Sequence, residues 1–127
     1  MNKNEANRWF ERAQKDIEDA ELLLKESRTV ENVALLIQQA IEKYLKGFLI
    51  YHDCELEKIH DLITLINYAS KIDISFEEFV PSLRMITNFY FESRYPIAYE
   101  PEYTKEEIRK SLKEAKKLIA LVKEKVK

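Results

Sequence analysis

The sequence predicts an all-α protein: a four-helix up-and-down bundle with one additional short helix. Three observations carry this. The 127-residue chain has one glycine and three prolines but is 46% apolar and 35% charged, the balance expected of long helices joined by short turns. Apolar residues recur at spacings of three and four, and no stretch shows the alternation of a strand. Capping residues stand where several of the periodic stretches begin. The length suits a single domain spanning residues 1–127, large enough to bury its own core.

The first helix is expected from about Asn4 to Glu26, where Ala6, Phe10, Ala13, Ile17, Ala20 and Leu24 form one apolar stripe. Trp9 and Leu23 widen the stripe, with Trp9 read as a core anchor, and the alanines let a neighbouring helix approach closely. The second helix is expected from about Glu31 to His52, capped by Thr29 or Ser27. Its broad face of Val33, Ile37, Ile41, Tyr44, Leu45, Phe48 and Leu49 marks it as the central helix. Gln38, Gln39, Glu42, Lys43 and Lys46 oppose that face and read as a solvated edge.

Asp61 is placed to cap a short third helix running to about Lys71, with Leu62, Leu65, Ile66 and Ala69 inward. Ser75 and Glu78 fit a capping box, so a fourth helix is expected to begin near Phe76, with Pro81 tolerated in or near its first turn. Phe79, Val80, Leu83, Ile86 and either Phe89 or Tyr90 point inward. Pro96 disfavours helix at Tyr95, and Pro101 delays its resumption. Thr104 and Glu107 make a second capping box and open the last helix, whose Ile108, Leu112, Ala115, Ile119, Val122 and Val126 keep the three-and-four spacing.

Charge and composition exclude several classes of function. The net charge is -2, so no global basic field draws in nucleic acid, and any such binding must come from a local patch. Cys54 is the single cysteine, which excludes an intrachain disulfide and the Cys-rich zinc patterns. No metal or cofactor is expected, and a cytoplasmic location fits. No apolar run approaches a membrane span, and the charged start does not resemble a signal peptide.

The connector "RYPIAYEPEY" is unusual for a bundle turn. Turns favour Gly, Asn, Asp and Ser, whereas this one carries Tyr95, Ile97, Tyr99 and Tyr103. Arg94 has two physical readings. It is a cation at a helix C-terminus, where the dipole favours it, or it is a guanidinium held by aromatics at a cleft mouth, suited to a phosphate or a base plane.

Three stretches resemble the HEPN domain family: Trp9, Ala13, Asp16 and Ala20 in the first helix; Gln39, Ala40, Glu42, Lys43 and Lys46 within "IQQAIEKYLKGFL"; and His60-Asp61-Leu62 followed by Arg94-Tyr95-Pro96. The resemblance implies a four-helix bundle that pairs into a homodimer. It implies nucleotide or RNA binding, a minimal nucleotidyltransferase as partner, and in some members metal-independent RNA cleavage. Cleaving members carry an arginine followed after four to six residues by a histidine. Arg94 matches the arginine, but Tyr99, Glu100 and Pro101 occupy the following positions, and the histidines are His52 and His60. A tyrosine, with a pKa near ~10, is a poor base at neutral pH. The catalytic residues are therefore unassigned, and binding is favoured over catalysis. Arg94 would hold phosphate, Tyr95 and Tyr99 would stack on a base, and Lys43 and Lys46 would add positive charge. The competing readings are an unconventional endoribonuclease using Arg94 with Tyr99, Glu100 or His60, and a dimeric interaction module without ligand.

Overall fold

The computed structural model describes residues 1–26, 30–56, 61–94 and 104–127, with the side chains of 89–94 outside that description. It comprises α1 (Lys3–Lys25), α2 (Val30–Tyr51), α3 (Leu62–Ile72), a 3-10 turn (Ile74–Phe79), α4 (Val80–Arg94) and α5 (Lys105–Lys125). No strand occurs among the described residues.

Local chemistry sets the observed starts. Asn2 caps α1 by accepting the Glu5 amide, and Asp61 caps α3 by accepting that of Ile63. Thr104 and Glu107 form the reciprocal box expected at α5. The Ser27 and Thr29 caps expected for α2 lie outside the described residues.

One start differs from expectation. The Ser75–Glu78 box does not form. Asp73 instead accepts both the amide and the hydroxyl of Ser75, at 3.0 and 2.6 Å. That commits the Ser75 hydroxyl as a donor, and the chain takes a 3-10 turn before α4 starts at Val80. Pro81 then falls in the first turn of α4, where a missing N–H is tolerated.

The helices alternate in direction. Asn2 N–H donates to the Tyr51 carbonyl at 3.3 Å, so α1 and α2 run antiparallel. Ser82 reaches Glu114 and Asp73 reaches Lys125, so α4 and α5 do too. α2 touches every other helix, and its face from Val33 to Leu49 is buried. The α1 stripe is buried as expected at Ala6, Ala13, Ile17, Ala20 and Leu24, and α5 buries Ile108, Leu112, Ala115, Leu118, Ile119 and Val122. Trp9 is only half-buried.

Candidate functional site

Alternation of direction decides which residues share an end of the bundle. Glu21 of α1 meets Lys116 of α5 at 3.1 Å, and Phe10 lines a pocket with Lys123. α1 therefore runs antiparallel to α5 as well. The C-termini of α1 and α4 and the N-termini of α2 and α5 gather at one end. Arg94 is the last residue of α4 and stands at that end. Its side chain, together with Tyr95 and Tyr99, lies outside the described residues, as does His60.

The two stretches singled out on α1 and α2 meet along one seam. Lys43 Nζ donates to Asp16 at 2.5 Å. The Lys46 ammonium is 3.3 Å from Glu42 and sits over the Trp9 ring, 5.5 Å from its centroid. Ala13 and Ala20 of α1 and Ala40 of α2 are fully buried. This overturns the solvated edge expected of α2: Lys46 is 5% exposed and Gln38 is 7% exposed. The reason is that α1 brings its own carboxylate and indole across that edge, so Lys46 is buried and Lys43 half-buried, each with a partner. Next to them, the Tyr44 hydroxyl donates to Gln14 at 2.5 Å. Burial, helped by the nearby Glu18 carboxylate, pushes the Tyr44 phenol up to about 12, so it stays a neutral donor.

Among the described residues, Gln38 Oε1 and Thr87 Oγ1 are buried without a hydrogen-bond partner. Such orphans ask for an explanation. Thr87 stands two turns before the C-terminus of α4. His52 packs against the Phe48 and Tyr51 rings, at 4.7 and 5.1 Å between centroids. No group of three or more His, Cys, Asp or Glu suited to a metal occurs among the described residues. No described helix is long and apolar enough to cross a membrane.

Sequence reasoning passed over the cations of α5. Arg109, Lys113, Lys116 and Lys117 line a groove of about 890 Å3 against Lys25 and Leu24 of α1. The signal was present: residues 105–127 hold nine Lys and Arg against four Glu, in a chain with 21 basic and 23 acidic residues.

The HEPN domain family model matches residues 6–125. A candidate toxin of Methanocaldococcus jannaschii is 28% identical over 132 residues, covering 94% of this chain and 86% of that protein. The crystal structure of TT1696 from Thermus thermophilus superposes with a TM-score of 0.82 at 27% identity, covering 98% of this chain and 99% of the other. That of ST0689, an archaeal HEPN homologue, gives 0.72 at 23% identity, covering 96% and 98%, and shows likeness of fold.

Proposed function

The chain belongs to the HEPN domain family, and from that premise we propose that it is a nucleotide- or RNA-binding helical module. In this reading it is the toxin-like partner of a separately encoded minimal nucleotidyltransferase, works inside the cell and pairs as a homodimer. The observation that carries the reading is the family match over residues 6–125, which includes an arginine at the C-terminus of α4. The similarity to a protein named as a candidate toxin supports the toxin-like role.

Arg94 holds a phosphate, and Tyr95 and Tyr99 stack on a base. Lys43 and Lys46 act from the α1–α2 seam, where their partners Asp16 and Glu42 hold them. That seam lies toward the end of the bundle opposite Arg94, since α2 begins at Arg94's end and Lys43 is its fourteenth residue. The two pairs therefore fix α1 against α2 and lie away from the Arg94 end. Binding is favoured over cleavage because no histidine follows Arg94 to exchange a proton near neutral pH.

The test is titration of ribonucleoside triphosphates and a short RNA against wild type and Arg94→Ala. A helix-end cation contributes at most about 1 kcal/mol in most settings, so the fold should survive. Affinity should fall about tenfold or more with loss of a charge-assisted contact. Strong destabilisation with unchanged binding would instead make Arg94 a structural cap. RNA cleavage by the wild type would favour an unconventional endoribonuclease, and Tyr99→His tests whether restoring the pattern restores cleavage.

A further inference from the structure

A chain with net charge -2 binds RNA only through a local concentration of positive charge. The fold makes one. The groove between the C-terminal half of α1 and the N-terminal half of α5 is lined by Lys105, Arg109, Lys113, Lys116 and Lys117 of α5 and by Lys25 of α1, with Glu21 as the acidic residue among them. We propose that this groove is a track for the phosphate backbone of single-stranded RNA, built from residues other than Arg94 and starting at the end of the bundle where α4 ends. The proposal rests on the RNA-binding reading above and extends it to a second surface.

Spacing supports a strand. Lys105, Arg109, Lys113 and Lys117 follow one another every four residues, or about 6 Å of helix. That is close to one nucleotide step of an extended strand. The cations are also available. Arg109, Lys116 and Lys117 are 50%, 52% and 56% exposed, and their pairs with Glu106, Glu21 and Glu114 are surface pairs. Such pairs are weak in water, so a phosphate displaces the carboxylate readily. Lys113 and Lys25 carry no ion pair among the described residues.

The other occupant of a basic groove is an acidic protein helix, which would cover the apolar floor of Leu24, Leu112 and Ala120. The four-residue run of cations matches the repeat of a phosphate backbone and favours the strand, and competition by polyglutamate separates the two. Among the described residues no aromatic side chain lines the groove, so the contacts these residues offer are to the strand's phosphates.

The experiment uses the full chain and a fluorescein-labelled oligouridylate of about twelve nucleotides. Its affinity is measured by anisotropy across a salt series starting near ~50 mM. Lys113→Glu/Lys117→Glu should lower the affinity about tenfold or more and make the log–log salt slope shallower by about 1.4, the contribution of two phosphate contacts. Lys113→Gln/Lys117→Gln should show the same sense with a smaller loss of affinity, and its thermal midpoint separates binding from folding. Arg94→Ala should leave a slope differing from wild type by no more than about 0.7. Charge-reversed protein that binds the RNA as wild type does would overturn the groove while leaving the Arg94 site to stand on its own nucleotide titration. Wild type that fails to bind the RNA at the lowest salt would also overturn it. So would polyglutamate competing as well as RNA at equal charge, which would assign the surface to an acidic protein.

Discussion

Lys43 shows how much a single side chain's role depends on its neighbour. Its side chain is 26% exposed and that of its partner Asp16 is 15% exposed, so the pair is drier than a surface bridge. Removing either partner strands the other, and the measured quantity of interest is the coupling between them. A double-mutant cycle with Asp16→Ala and Lys43→Ala should give a coupling above about 1 kcal/mol in chemical denaturation. A coupling near zero would show that the seam holds without the pair. Asp73 makes a second residue-scale prediction. Its hydrogen bonds from Ser75, then the Lys125 ammonium 2.9 Å away, hold its carboxyl well below the usual range. A depressed folded-state pKa contributes stability that is present above the ordinary Asp value and lost as pH falls through the folded one. Lys125 is raised by the same carboxylate, so its share is lost only at alkaline pH. Asp73→Asn should therefore lower the thermal midpoint at pH 7, and the gap from wild type should close as the pH drops through and below the ordinary carboxylate range. A gap independent of pH would mean that the cap geometry matters and the charge does not.

At the scale of elements, sequence periodicity located the helices well because each buries one face against the bundle. The stripe from Ala6 to Leu24 and that from Ile108 to Val122 are buried where the spacing put them. The start of α4 was less legible. Ser75 and Glu78 satisfy the capping-box pattern, but Asp73 reaches the Ser75 amide first, and Phe76 packs on Phe48 at 4.6 Å between centroids. A local pattern does not reveal a competing acceptor two residues earlier or a ring arriving from another helix. The single glycine is a further case. Gly47 lies inside α2, where propensity alone says alanine would gain about 1 kcal/mol. A Cβ there would stand 2.5 and 2.8 Å from two carbons of the Phe10 ring and 3.1 Å from the Trp9 Cβ. The ring has little room to yield, since it stacks on Tyr44 at 5.8 Å, and the Trp9 Cβ is fixed to the α1 backbone. Gly47→Ala should thus destabilise the protein by about 1–3 kcal/mol through overpacking. A urea midpoint equal to or above that of wild type would show that α1 shifts freely against α2.

Across the whole molecule, the candidate site was legible in part. The Arg94 segment stood out because aromatics and prolines are out of place in a solvated turn. The basic groove did not, because its cations acquire a common direction only when α5 lies beside α1. The seam residues were found as a motif, but Lys46 is covered and Lys43 half-covered by a helix whose position no single-helix pattern contains. The same dependence on neighbours bears on stability. α2 contacts α1, α3, α4 and α5, so the bundle has a common partner and no independent half. Ala40 is fully buried on this helix, between Ile37 and Ile41, which are 1% and 0% exposed. A glutamate there must either place an unpaired carboxylate in the core or push α1 away from α2. Each route loses several kcal/mol, comparable with the whole stability of a small domain. Ala40→Glu should therefore abolish the cooperative thermal transition, as a loss shared by all the helices, and circular dichroism should show the helical signal reduced already at room temperature. A thermal midpoint within a few degrees of wild type would mean that this face of α2 is not the centre on which the other helices converge.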